Sequence, residues 1–278
     1  MRSRSRWDTN GRHRAAPVLL TVVLLAGALV GCRSEPPRPV VPEPWPGGVT
    51  RPQPWQWQLS GPLDVTVEAD VFLLDPVRTT AAETTELRSR GRRLICLVSA
   101  GSFTDQDVDA ARFPTPVRGR SGAPRGGTWL DVRQWDVLEP VLADRLRLCR
   151  GKRFEAVAFT AVDGYAHRSG FPLDFDAQLR FNRRLAELAR SLALSPGLVN
   201  NVGQVAALAP DFDFAVNEEC VRLRQCDRLL PFTEAGKPVL HVEYAGSTAD
   251  FCVTTVGYGF ASMRKQRTLD AWRAPCAY

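Results

Sequence analysis

Eight short apolar runs punctuate the chain: WQWQL, VFLL, LICLVS, AVAF, GLVN, FAVN, VLHVE and GFASM, spread over residues 55–263. Each has strand length, and several are separated by stretches with helical character. TTAAETTELRSRG has helix composition and ends on Gly91. RQWDVLEPVLADRLRLCRG sets Trp135, Leu138, Leu142 and Leu146 at helical spacing, and DAQLRFNRRLAELARSLAL does the same with Leu179, Leu185, Leu188 and Leu192. Strands alternating with helices imply a parallel sheet covered by helices. Eight candidate strands in this length predict an α/β fold of one domain, a (β/α)8 TIM-like barrel. A doubly wound sheet is the alternative, but no Gly-rich phosphate turn follows the first run. No internal repeat is evident.

The barrel does not begin at residue 1. Arg2, Arg4, Arg6, Arg12 and Arg14 precede the apolar run APVLLTVVLLAGALVG, and Cys32 follows it. A basic start, an apolar centre and small residues before a cysteine define residues 1–31 as a signal peptide of the lipoprotein type. LVGC resembles a bacterial lipobox, so Cys32 is expected to carry the lipid. A plain signal peptide with an incidental cysteine, or an uncleaved anchor, is the alternative. Residues 32–54 are dense in proline, which fixes the backbone angle and removes a donor, and read as an extended tether. The folded part is then residues 55–278. An exported lipoprotein held to the membrane and facing outward, or a secreted protein, is the expected location.

That boundary changes the meaning of the charge. The whole chain carries 36 basic and 30 acidic residues, a net +6. Removing residues 1–31 takes away five arginines and one aspartate and leaves a net +2. The basic balance belongs mostly to the signal, and no nucleic-acid partner is expected. Six of the seven cysteines follow Cys32. An even number in an exported chain suggests disulfides. Cys220 and Cys226, in the short loop CVRLRQC, are the expected pair, and the pairing of Cys96, Cys149, Cys252 and Cys276 stays open. Cys96, inside an apolar run, reads equally as a buried free thiol. His167 and His241 are too far apart in sequence to suggest a zinc site, so neither metal nor cofactor is expected.

In a barrel of this kind, function sits just past the C-terminal ends of the strands. The polar residues there are Asp75, then Ser99 and Ser102, then Asp163, then Asn200 and Asn201. Asn217, Glu218 and Glu219 follow, and last Glu243 and Tyr244. Carboxylates and amides converging on one face suit the hydroxyls of a sugar. Trp57 alternates with Trp55 on an extended segment, and Trp129 lies in a long Gly/Arg-rich loop; aromatic faces of this kind stack on pyranose rings. Core packing is the alternative role for each tryptophan.

The segments WQWQLSGPLD, SAGSF, WLDVRQ, VDGY, GFPLDFDAQLRFNRRLAELA, PDFDFAVNEEC, LLPFTEAGKPVLHVEY and LDAWR, from Trp55 to Arg273, resemble the endo-α-1,4-polygalactosaminidase family, glycoside hydrolase family 114. The resemblance implies a TIM-like barrel. For typical members it implies hydrolysis of a galactosamine-containing polysaccharide, with Trp57, Asp75, Ser99, Trp129, Tyr165, Asn200, Asn217, Glu243 and Tyr244 as candidate glycan contacts here. It also exposes departures. Where typical members read E-P-D-N-x-D-G-Y, this chain reads AFTAVDGY: the Glu falls on Ala158, the Asp on Thr160 and the Asn on Ala161, while Asp163, Gly164 and Tyr165 remain. A typical Lys-Asn-Asp becomes Val199, Asn200 and Asn201. A typical Y-D-x-D becomes Phe72, Leu73, Leu74 and Asp75. Asn217, Glu218 and Glu243 are kept.

These losses share a direction. Most glycosidases need two carboxyl groups, and the resemblance makes the lost acid at Thr160 and Glu218 the pair. A threonine hydroxyl cannot serve as a carboxyl acid. The expectation is a catalytically degenerate barrel that binds a galactosamine-containing or other envelope glycan. The alternatives are an active glycosidase that joins Glu218 to a relocated acid, Asp163 or Glu243, and a structural envelope lipoprotein.

Overall fold

The structure, a computed structural model, describes residues 53–277. The expected signal peptide, Cys32 and nearly all of the expected tether lie outside the described residues. No helix among the described residues is long and apolar enough to cross a membrane.

Eight parallel strands form the barrel: β1 (Trp55–Gln58), β2 (Val71–Leu74), β3 (Arg93–Ser99), β7 (Ala156–Thr160), β8 (Ser195–Val199), β9 (Phe214–Glu218), β10 (Val239–Glu243) and β11 (Ala261–Lys265). Helices α1 (Ala81–Ser89), α2 (Trp135–Gly151), α3 (Phe175–Ser191), α4 (Val205–Leu208), α5 (Leu230–Glu234) and α6 (Thr248–Gly257) follow β2, the β3 unit, β7, β8, β9 and β10 in turn. Residues 59–70, between β1 and β2, hold no helix. Between β3 and α2 the chain inserts a small antiparallel sheet of β4 (Ser102–Phe103), β5 (Arg118–Ala123) and β6 (Gly127–Leu130). This sheet replaces the long Gly/Arg-rich loop expected around Trp129. Its glycines and mostly solvent-exposed arginines carry no apolar alternation, so the period-2 signal is missing. Trp129 therefore lies on a strand.

The barrel is nearly closed. A ninth strand, β12 (Arg273–Pro275), runs antiparallel on the outer edge of β11. The seam between β1 and β11 is joined by other bonds. The Trp55 indole donates to the Ala261 carbonyl at 2.8 Å, and Leu59 N donates to the Leu269 carbonyl at 2.8 Å. Lys265, 1% exposed, donates to Gln56 Oε1 at 3.1 Å and to the carbonyls of Asp270 and Trp272, each at 2.6 Å. A buried ammonium with three acceptors is a satisfied one, and burial pushes its pKa down to about 8.

Alternation along the strands sorts the core into two shells. Trp55, Trp57, Leu73, Leu97, Ala158, Val199, Val216, Val242 and Met263 belong to the interior cluster. Phe72, Cys96, Val98, Val157, Phe159, Leu198 and Ala215 belong to the larger cluster that the helices cover. Gly197 makes room inside: a β-carbon there would come within 2.1 Å of the Phe214 ring. Disulfides join Cys96 to Cys149, Cys220 to Cys226 and Cys252 to Cys276. The expected Cys220–Cys226 pair is present, and Cys96 is bonded, not free: α2 packs over β3 and brings Cys149 to it.

Candidate active site

The same alternation decides which polar residues reach the barrel mouth. Continuing the inward positions of β7, β9 and β10 by two residues gives Thr160, Glu218 and Tyr244. The outward positions give Asn217, His241 and Glu243. Glu218 is the centre of the mouth. Its Oε2 accepts from Asn200 Nδ2 at 2.9 Å, and its Oε1 accepts from the Tyr244 hydroxyl. Asn200 Oδ1 in turn accepts from Glu218 N at 2.9 Å and from Asn217 Nδ2 at 3.3 Å. One asparagine thus fixes the carboxylate, its own backbone and the neighbouring amide. Asn200 has φ +56°, a left-handed conformation that asparagine tolerates well. Burial, and then the charge of Glu218, push the Tyr244 phenol well above its ordinary range, so Tyr244 remains a donor.

A cleft of about 370 Å³ opens beside this carboxylate, with Asp163, Asn200, Asn201, Glu218, Glu219 and Arg267 among its walls. Its other acids are already engaged. Asp163 Oδ2 lies 3.0 Å from His167 Nε2, and this bond raises the imidazole above its ordinary pKa. The His167 ring stacks on Trp129 with centroids 5.0 Å apart. Glu219 takes a two-pronged contact from Arg222 at 2.8 and 2.9 Å and a third bond from Arg267 at 2.8 Å, which hold its carboxyl below the usual range. The Arg267 guanidinium lies over the Tyr244 ring, 4.6 Å from its centre. Sequence reading missed Arg267. It sits in an irregular segment after β11, where no strand-end rule applies.

The other expected contacts are dispersed. Tyr165 meets Phe175 edge-on at 5.6 Å, and its hydroxyl abuts Gly203 of the cleft wall, where a β-carbon would come within 2.4 Å of it. Asp75 and Ser99 line a second cavity of about 500 Å³ at the ends of β2 and β3. There Asp75 Oδ1 accepts from Val77 N, and the Ser99 hydroxyl pairs with Ser102 at 2.7 Å. Trp57, 3% exposed, forms the barrel interior below the mouth, and Trp129, also 3% exposed, offers the outside little of its face. Glu243, 2% exposed, accepts from Val221 N at 2.8 Å and contacts His241 at 3.1 Å; it pins the loop after β9 and does not line the cleft. Its outward position explains this, because an odd offset from Val242 faces the helices.

Where the resemblance puts acids on β7, no carboxyl is present. Ala158 is fully buried among the interior side chains with Val199 close by. Thr160 stands at the mouth, 8% exposed. Among the described residues the one grouping of metal-type side chains is Cys220, His241 and Glu243. Cys220 is in a disulfide and offers no thiolate, so the group does not fit a metal.

A parallel eight-stranded barrel with carboxylate, amide and phenol groups gathered at its C-terminal mouth has the form of a carbohydrate-active TIM barrel. The profile of glycoside-hydrolase family GH114 matches residues 35–278, and the chain belongs to that family. Among solved structures it is similar to Ega3 of Aspergillus fumigatus, determined in complex with galactosamine. The TM-score is 0.76 at 26% identity, over 81% of this chain and 95% of that one. It shares its fold with the glycoside hydrolase domain of PelA from Pseudomonas aeruginosa, with TM-score 0.64 and 12% identity over 80% and 97% of the two chains. No curated protein matches the chain.

Proposed function

We propose that this protein is a GH114 barrel that binds an amino-sugar-containing glycan at the Glu218 cleft without cleaving it. The observation that carries this is the end of β7. Thr160 stands there and Ala158 is sealed into the apolar interior, so this strand supplies no carboxyl to work with Glu218. Glycoside cleavage normally needs a proton donor and a nucleophile or base at once. Glu218, held by Asn200 and Tyr244, remains an acceptor for sugar hydroxyls. Galactosamine, bound by Ega3, indicates the class of sugar.

The protein is further proposed to reach the envelope as a lipoprotein, tethered through Cys32 by residues 32–54. Three disulfides within the described residues support folding in an oxidising compartment.

A second reading rests on one observation: Asp163 and Glu218 line the same cleft. If Asp163 serves as the second carboxyl, the protein is an active glycosidase. Incubation with galactosamine-containing oligosaccharides, with product analysis and calorimetric binding side by side, separates the two. Binding without product, lost in Glu218→Gln, is the expected result. Product that disappears in both Glu218→Gln and Asp163→Asn would overturn the degenerate reading.

A further inference from the structure

We infer that His241, which does not line the cleft, sets the place of one cleft wall by holding Glu243. The inference rests on the glycan-binding reading above and adds a positioning residue to that site.

The wall is the segment that follows β9. Glu219, Leu223 and Gln225 line the cleft from it. Glu219 and Arg224 have φ +61° and +53°, left-handed conformations that are unfavourable for any residue with a β-carbon. A loop strained at two places keeps its shape only while its surroundings hold it. Its start is tied twice. Glu219 N donates to the Val242 carbonyl at 2.8 Å, and Arg267 donates to the Glu219 carboxylate at 2.8 Å. The Cys220–Cys226 disulfide ties the loop only to itself. Glu243 supplies the tie beyond these, because its Oε1 accepts from Val221 N at 2.8 Å and from Arg222 N at 3.4 Å.

A carboxylate used in this way must itself be held. Glu243 is 2% exposed, and its Oε1 lies 3.1 Å from His241 Nε2. Two residues apart on β10, the side chains share the outward face. A carboxylate only accepts, so Nε2 carries the proton and donates it, which leaves Nδ1 to accept from the Ser262 hydroxyl at 3.1 Å. Ser262 stands directly opposite His241 in the β10–β11 register, and both are fully buried. Phe251 meets the ring edge-on at 6.1 Å, and Phe260 packs beside it at 6.3 Å. The imidazole thus takes its orientation from β11 and passes it to Glu243, which passes it to the loop. Tyr244, the next residue, donates inward to Glu218. The end of β10 therefore orients the cleft from both of its faces. Without the imidazole, a buried carboxylate is left short of a donor that water cannot replace, and its grip on Val221 changes.

The test uses the full-length protein in four forms: unmodified, His241→Leu, His241→Gln and Phe181→Leu. Leucine fills space without a donor, whereas the glutamine amide can donate to Glu243 from the place of Nε2. Phe181 is 2% exposed on α3 and has no part in the loop, so its truncation lowers stability alone. The amide resonances of Val221, Leu223 and Gln225 are followed by NMR without ligand. All three should shift in His241→Leu, return toward their unmodified positions in His241→Gln, and stay in place in Phe181→Leu. A galactosamine oligomer is then titrated by calorimetry. Its affinity should fall about tenfold in His241→Leu, near the worth of one hydrogen bond to a charged group, and recover in His241→Gln. Phe181→Leu should lower the thermal midpoint and leave the affinity unchanged. Unmoved loop amides in His241→Leu overturn the inference, as does an equal loss of affinity in His241→Leu and Phe181→Leu. Should His241→Leu fail to fold, Ser262→Ala takes its place: it removes the bond to Nδ1 and should shift the same amides, and unmoved amides there overturn the inference too. If the unmodified protein does not bind the oligomer, the glycan-binding reading falls, and the amide shifts alone decide whether His241 places the wall.

Discussion

Restoring an acid at Ala158 should fail unless a base is restored at Val199 with it. Ala158 is 0% exposed and Val199 3% exposed, and both belong to the interior cluster. In the β7–β8 register Ala158 faces Gly197, so Val199 is its diagonal neighbour one step along the same face, within reach of long side chains. Ala158→Glu places a carboxyl among hydrocarbon with no partner. The group escapes ionisation by taking a proton, which at neutral pH costs roughly 4 kcal/mol for a carboxyl near its ordinary pKa. Val199→Lys must lose a proton instead, at about 5 kcal/mol. Either loss is a large part of a typical stability of about 5–15 kcal/mol. Together the two charges can pair, and the double variant should recover at least about 2 kcal/mol over the sum of the singles. Urea unfolding followed by tryptophan fluorescence measures all four proteins. The pH dependence gives a second check. The introduced carboxyl has a folded pKa above its unfolded one, so the folded state binds more protons between them. The penalty should therefore shrink as pH falls toward about 4.3. By contrast Thr160→Asp, at the mouth and 8% exposed, should cost less than Ala158→Glu, because its carboxyl can reach solvent. Additive singles, or a harmless Ala158→Glu, would refute the view of this interior as a sealed apolar floor.

Replacing disulfides pairwise with alanine should lower stability in the order of loop length. The expected losses are about 4 kcal/mol for Cys96–Cys149, about 3.5 for Cys252–Cys276 and about 2 for Cys220–Cys226, from separations of 53, 24 and 6 residues; thermal and urea midpoints read the order. Burial depresses the Lys265 pKa to about 8. Above that pH the unfolded chain holds the proton that the folded one has released, so this residue makes stability rise between about 8 and 10.4. Lys265→Met should abolish that rise and leave the Asp270 and Trp272 carbonyls without their donor. His167 has the opposite sign, because Asp163 raises its pKa. Its contribution is complete below the ordinary imidazole value and fades as pH climbs through the raised one. NMR titration of His167, with and without Asp163→Asn, checks the direction.

The barrel was legible because apolar runs of strand length recur with helical stretches between them, a pattern that depends only on burial. Glu218 and Tyr244 were marked by their place at strand ends, and the structure brings the two together at the mouth. Glu243 shows the limit of that rule. A run such as VLHVE is apolar on both faces, so the strand end alone does not reveal which side a terminal acid takes, and Glu243 faces the helices. The cavity split was hidden too. Asp75 and Ser99 stand at strand ends as Glu218 does, yet the inserted sheet, whose residues carry no strand pattern, walls them into a separate cavity. Arg267 was invisible because its role comes from a seam-closing segment pinned by Lys265, a tertiary contact with no local sequence signature.

The end of β7 joins these points. Ala161 has φ +57°, a conformation that costs an alanine on the order of 1–2 kcal/mol and that asparagine, which the family resemblance puts at this position, enters more readily. The turn is held from outside: a β-carbon on Gly101 would come within 2.0 Å of the Ala161 carbonyl, and Ala100 N bonds to the Thr160 carbonyl at 3.0 Å. The scaffold holds this backbone shape with Ala158, Thr160 and Ala161, none of which carries a carboxyl. The strained turn stands beside a Glu218 oriented by Asn200 and Tyr244, an arrangement that the proposed binding role uses as it is.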